Sequence, residues 1–295
     1  MPQVPSVTAV DRPFTGGGFR DDDGLVSGPR LDFPDQVPYD AYVHASTLHS
    51  LQQPLSKDPG EMSFLMVSQV MELWFGLARH ELREAQRLLR EDDVWGALAP
   101  LRRTRLHLEG LVAAWNGLRW MTPSDFNRFR DLLGEASGFQ SAMYRHLEFL
   151  LGLKNEALIR PFKRQADLHD ELAAALAAPS LWDDVTAVLA RRGFDIPAEV
   201  LTAGHAGEYV PSPAVERAWV EIYRDDRADN PLYLLGEVLA DVAEEFGLWR
   251  YKHLTAVQRT MGNKIGSGGS SGAAWLTRSM GRVVFPELWS ARTVI

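Results

Sequence analysis

Few residues in this 295-residue chain stand where their type and spacing could do chemistry, and His253 is the first of them. Leu235, Leu239, Val242, Phe246, Trp249 and His253 follow one another at +4, +3, +4, +3 and +4, so the imidazole shares a helix face with five apolar residues. A buried imidazole needs a partner, because an unpaired polar group there costs a few kcal/mol, roughly 1–3 in proteins. Two partners suit it. One is a backbone carbonyl of its own core. The other is a metal, and no HExxH or ExxH pair accompanies it, so a single axial position on a haem fits better than zinc. Ser68 interrupts a second apolar face, Phe64, Ser68, Met71, Phe75, Ala78 and Leu82, again at +4, +3, +4, +3, +4. Its hydroxyl either bonds back to its own helix or is offered to something in the core. Phe126 and Arg130 stand at i and i+4. On one helix face, such a pair can frame a small carboxylate, or simply belong to an amphipathic surface. The run GSGGSSG at 266–272 does not match a P-loop. It reads as a linker or as a clamp in which backbone N–H groups and the hydroxyls of Ser267, Ser270 and Ser271 hold an anionic or zwitterionic group.

These residues need long helices to position them. After residue 38 the apolar period is helical nearly throughout. The expected helices cover 62–90, 93–119 with a kink at Pro100, a turn of helix capped by Thr122, then 139–152, 181–193, a short helix after Pro213, 231–261 and 273–281. Alternating strand patterns are scarce. The fold class is all-α, a bundle of long helices around a pocket. Residues 1–38 carry six Pro, three consecutive Gly and three consecutive Asp, and read as a flexible arm ahead of a single helical domain at 39–295.

Composition narrows the chemistry. With 31 Lys+Arg against 39 Asp+Glu the net charge is −8, and no long basic run is present, which argues against nucleic acid as a partner. There is no Cys, which excludes disulfide scaffolds, thiolate metal sites and Cys nucleophiles. No uncharged apolar run approaches the roughly 18 residues of a membrane span, and the first residues lack the pattern of a signal peptide. A soluble cytoplasmic protein is expected.

Six stretches, in order, carry a resemblance: PYDAYVHASTLHSLQQPLS at 38–56, EMSFLMVSQVMELWFGLARHEL at 61–82, MTPSDFNRFRDLLGEASGFQS at 121–141, YRHLEFLLGLKN at 144–155, HLTAVQRTMGNKIGSGGSSGAAWL at 253–276 and FPELWSARTVI at 285–295. The chain resembles the tryptophan 2,3-dioxygenase family over nearly everything after residue 38. The resemblance implies an all-α homotetramer that binds haem b through one histidine and uses dioxygen to open the indole ring of L-tryptophan, giving N-formylkynurenine. It implies His253 as proximal iron ligand and Arg130 as partner of the substrate carboxylate. Ser267 stands where the family has a threonine that holds the substrate's ammonium and carboxylate. Phe64 and Phe126 would be pocket walls, Gly138 a backbone N–H near dioxygen, and Tyr39 and Tyr42 residues lent to a neighbouring subunit. Ser68 falls where the family keeps a distal histidine. Serine reaches less far and is no base near neutral pH, yet the related indoleamine 2,3-dioxygenases also carry a distal serine and open the ring. That departure leaves three readings: ring opening of L-tryptophan or a substituted tryptophan, insertion of one oxygen at indole C2 to a 2-oxindole, or a haem-binding helical protein without catalysis.

Overall fold

Asp58 begins the longest element, because its carboxylate accepts the Gly60 N–H at 2.8 Å and Pro59 follows at the first helical position. The computed structural model describes residues 31–264 and 272–295. Among them are thirteen α-helices and no strand. They are α1 (Pro38–Val43), α2 (Ala45–Ser50), α3 (Pro59–Arg90), α4 (Val94–Ala114), α5 (Pro123–Asn127), α6 (Ala142–Leu150), α7 (Ala166–Ala177), α8 (Leu181–Arg191), α9 (Ala198–Leu201), α10 (Pro213–Arg224), α11 (Pro231–Met261), α12 (Gly272–Met280) and α13 (Pro286–Val294). The all-α expectation holds. The chain divides into two compact units, one ending at Gln53 and one covering Pro54–Ile295. In the first, Asp40 ties α1 to α2 by accepting from the Ser46 N–H and hydroxyl at 2.7 and 2.9 Å.

In the second unit α4 packs along both α3 and α11, and these three form the frame. The α3–α4 approach is close enough to require glycine: a Cβ on Gly110 would lie 2.9 Å from the Trp74 ring. Met71, Phe75, Ala78, Leu82, Ala85 and Leu89 of α3 and Leu235, Leu239, Val242, Phe246 and Trp249 of α11 are all buried in one core, as their spacing requires. Each fully buried large side chain contributes about 1.5–3 kcal/mol relative to exposure. Pro100 sits inside α4 rather than breaking it, and the helix gives way only at the 3₁₀ turn Trp115–Leu118. The helix expected over 139–152 is shorter. Ser137 starts a separate 3₁₀ turn, Gly138–Gln140, and α6 begins only after the Ser141 cap.

Two features differ from expectation. The stretch Ala166–Arg191 has the length and a mean hydropathy of 1.3 to pass as a membrane span, but 56% of that window is buried inside the protein. It is also divided by Ala178, extended at ψ 154°, into α7 and α8. The C-terminal FPELWSARTVI is helical, α13, and is pinned by Glu287. That carboxylate is 1% exposed and accepts from Tyr209 Oη at 2.6 Å, the Ser212 N–H at 2.8 Å and Trp182 Nε1 at 3.1 Å.

Candidate functional site

A cavity of about 620 Å³ lies between α3, α5, α6, α11 and α12. That is within the roughly 300–1,000 Å³ of small-molecule and cofactor sites. From α3 come Phe64, Ser68, Met71 and Phe75, the first half of the predicted stripe. The Ser68 hydroxyl donates to the Phe64 carbonyl at 2.8 Å, so its proton is committed while its lone pairs remain on the cavity side. From α5 comes Phe126, set by a capping box in which Thr122 and Asp125 satisfy each other's exposed backbone N–H groups. Phe64 and Phe126 form an aromatic wall backed by the buried Phe129, the three ring centroids 5.4 to 5.7 Å apart. Gly138 opens its 3₁₀ turn on the same wall, and a Cβ there would meet no atom within 4 Å.

His253 faces this cavity from α11. Asn230 anchors that helix by accepting the Leu232 and Tyr233 N–H groups at 3.1 and 3.3 Å. The imidazole lies between the indoles of Trp115 (5.0 Å, 21° from parallel) and Trp249 (5.5 Å, tilted 48°). Among the described residues no carbonyl or carboxylate pairs with its nitrogens, so the plain core-histidine arrangement is not what the structure has. Burial, reinforced by the Arg145 charge, lowers its pKa to about 4, which keeps it neutral and able to donate a lone pair to a metal.

The cavity's electrostatics point to its guest. Arg119, Arg145, Arg250, Lys252 and Arg259 line it against one carboxylate, Glu72, in a chain whose net charge is −8. Four buried donors on its wall, Trp115 Nε1, Arg145 Nε, Trp249 Nε1 and Arg250 Nε, have no acceptor among the described residues. Arg145 is 1% exposed and paired with Glu148, its guanidinium lying over the Phe139 and Tyr144 rings. Arg250 donates to the Arg282 carbonyl at 2.9 Å. Orphaned buried donors are costly, and an acceptor-rich anionic guest satisfies them.

The sequence candidates divide accordingly. Phe64, Ser68, Phe126, Gly138 and His253 meet at the cavity. Arg130 does not share a helix face with Phe126, because α5 ends at Asn127 and Arg130 opens the next turn, Arg130–Leu133. It is half-buried and not among the wall residues, whereas Leu133 of the same turn is. Tyr39 and Tyr42 belong to the first unit, on α1, and are 68% and 87% exposed. Ser267 lies outside the described residues. Trp115, Arg145 and Arg250 were missed by sequence reasoning.

Comparison with known proteins shows the family. The family model for tryptophan 2,3-dioxygenase matches residues 26–295. The chain belongs to the tryptophan 2,3-dioxygenase family. It is 41% identical over 292 residues to a tryptophan 2,3-dioxygenase of Paraburkholderia phytofirmans, covering 99% of this chain and 93% of that one. It is 43% identical over 271 residues to one from a Bradyrhizobium species, covering 92% and 97%. A Burkholderia pseudomallei relative of the same name is 43% identical over 266 residues, covering 90% and 87%.

Proposed function

We propose that this protein is a haem-dependent oxygenase of the indole ring of L-tryptophan or a substituted tryptophan, opening the C2–C3 bond to N-formylkynurenine. The observation that carries the reading is His253, an unpaired neutral imidazole facing a cavity rimmed by cations and orphaned donors. The relatives' shared name supplies the reaction.

The residues present fit a haem. Its carboxylates would offer acceptors to the unpaired donors, and the neutral imidazole of His253 would hold its iron. The haem iron, when bound, activates dioxygen toward the indole. The chain's own work is positional. The Phe64 and Phe126 rings, backed by the buried Phe129, exclude water and cover the indole. Arg130, half-buried beside wall residues Phe126 and Leu133, is assigned the substrate carboxylate, with Ser267 assigned to its ammonium and carboxylate. Ser68 Oγ, its proton held by the Phe64 carbonyl, acts only as an acceptor toward the indole N–H. The Gly138 N–H is assigned to dioxygen. Fixing the amino acid at both ends turns an encounter into a positioned reaction.

A homotetramer is part of this reading. Met66, Val70, Leu73 and Leu77 form an exposed apolar stripe on α3, 38 to 62% accessible, which subunit contact would cover. The exposed Tyr39 and Tyr42 are assigned to a neighbour's pocket. Sedimentation velocity tests the state. A cytoplasmic setting is part of the same reading.

The committed Ser68 hydroxyl favours one second reading. An indole held by a short acceptor alone can leave after one oxygen transfer, giving a 2-oxindole. Mass spectrometry of the product from L-tryptophan decides. Ring opening adds both oxygen atoms and consumes no reductant. Oxindole formation adds one, and a reductant must take the other to water. A Soret band without tryptophan-dependent oxygen consumption would overturn both and leave a haem-binding protein.

A further inference from the structure

Helix α6 has two working faces. Tyr144 and Arg145 line the cavity described above, while His146, Phe149 and Leu150 line a different one, about 520 Å³, against α3 and the α7–α8 junction. The two sets of wall residues share no member.

Three arginines of α3 line this second cavity, and two of them are neutralised. Arg87 is paired with Glu84 and Glu91 at 2.6 and 2.7 Å, and Arg90 with Asp184 at 2.8 Å. Arg83 has no ion-pair or hydrogen-bond partner among the described residues. Glu171, whose charge reaches Arg83, is already held by Arg79 at 2.8 Å. Beside it stands His146, 3% exposed. Its Nε2 is buried and lacks a hydrogen bond: the Glu171 carboxylate is 3.2 Å away but poorly aligned. A guanidinium with no ion pair among the described residues and a buried imidazole that meets only a poorly aligned carboxylate thus flank one opening. The one carboxylate on the wall, Glu91, is held by Arg87 at 2.7 Å, and Phe149, Leu150 and Ala175 supply an apolar floor. Gln86 is already satisfied by Asp184 and the Pro179 carbonyl, so it adds no competing demand.

We propose that this cavity is a second ligand site that takes a small organic monocarboxylate. The carboxylate would be held by Arg83, with His146 donating from Nε2, and the apolar body would rest on Phe149, Leu150 and Ala175. One unpaired cation calls for one negative charge, and a guanidinium fork matches a carboxylate. The cavity volume leaves room for an apolar body that a bare inorganic anion would not fill.

The test is isothermal titration calorimetry of 3-phenylpropionate into the haem-loaded full chain, with 3-phenylpropanol and inorganic phosphate as separate titrants. The expected result is saturable binding of the carboxylate, weakened tenfold or more by Arg83→Gln and by Ala175→Leu, which fills the floor. Arg83 is on the surface, so Arg83→Gln folds, and an unchanged Soret band in that variant confirms it. The proposal is overturned if Arg83→Gln binds as tightly as the parent, since the ligand then sits elsewhere. It also fails if the alcohol binds equally well, or if phosphate alone binds as tightly as the carboxylate. A change of oligomeric state in Arg83→Gln would overturn it too, assigning the charge to contact between copies of this chain.

Discussion

The imidazole of His253 stacks on the indole of Trp115, ring centroids 5.0 Å apart and planes 21° from parallel. The two come from different elements, α11 and the 3₁₀ turn that ends α4, so the stack fixes the ring plane of the assigned iron ligand without a hydrogen bond. An aromatic pair of this kind contributes about 0.5–1.5 kcal/mol beyond its burial. His253→Ala is expected to abolish stoichiometric haem binding. Trp115→Ala should instead weaken haem retention by roughly 2- to 13-fold. Trp115→Phe should restore the part that stacking supplies, while any contribution of the Nε1 donor stays lost. Haem transfer to apomyoglobin reads all three, and an unchanged ferrous spectrum in His253→Ala would remove His253 from its role.

Arg130→Ala should lower kcat/KM for L-tryptophan by on the order of 30- to 1000-fold, the equivalent of about 2–4 kcal/mol for a charge-assisted bidentate contact. Tryptamine, which has no carboxylate, should be a poor substrate of the parent. Steady-state oxygen consumption measures both. Near-normal kinetics in Arg130→Ala would transfer the carboxylate to a cation that already lines the cavity, such as Arg119 or Arg259.

Gly138→Ala isolates the ligand side of the wall. The added methyl meets no protein atom within 4 Å, so the thermal midpoint should shift by no more than a degree or two. Because Gly138 lines the cavity, the methyl can collide with what occupies it, and kcat/KM should fall about tenfold or more. Calorimetric unfolding and kinetics on one preparation separate the two effects. A large loss of stability with intact activity would place the glycine's role in the fold instead.

Much of this was legible because periodicity reports directly on helices that bury one stripe. Leu235 to His253 and Phe64 to Leu82 needed no tertiary information, and Thr122, Ser180 and Asn230 cap helix starts, whereas the Asp58 cap lies ahead of the start expected at 62. The failures are equally physical. Phe126 and Arg130 were placed on one face by spacing, yet a five-residue helix stops between them. Arg145 and Glu148, at i and i+3, have the pattern of a solvated surface pair, and only packing shows both nearly fully buried. Helix α13 was hidden because Phe285, the residue before it, is left-handed at φ 53°, and its main anchor, Glu287, pairs with residues about 75 to 105 positions away.

Acid should destabilise the fold through His146. Burial, with Arg79 next and Arg83 adding to it, lowers its pKa to about 4 from the ordinary 6.5. Above pH 6.5 the imidazole is neutral in folded and unfolded chains alike and contributes no pH dependence. Between pH 6.5 and 4 the unfolded chain takes up the proton and the folded one does not, so stability falls with falling pH, by at most about 1.4 kcal/mol per pH unit. Below pH 4 both are protonated and the slope from this group ends. Urea unfolding at pH 7 and 5 should therefore show a smaller acid loss in His146→Gln than in the parent. Equal losses would mean that His146 is protonated in the native state.

Ser68 should decide how the two oxygen atoms are delivered. Its hydroxyl proton is fixed on the Phe64 carbonyl at 2.8 Å, so toward the indole N–H it can only accept, and it cannot remove a proton near neutral pH. Serine is also several atoms shorter than histidine, and its oxygen stays close to the α3 backbone. An indole placed by contacts to the amino-acid end then meets Ser68 weakly, or through a water if one is held between them. Ser68→His extends a nitrogen into that space and should raise the rate of N-formylkynurenine formation or its share over 2-oxindole. Ser68→Ala removes the acceptor and should shift the ratio the other way. With 1-methyltryptophan, which has no N–H, the serine and alanine forms should behave alike. Chromatographic quantification of both products on both substrates reads the outcome. If Ser68→His and Ser68→Ala leave rate and ratio unchanged on L-tryptophan, the indole does not lie against this turn of α3.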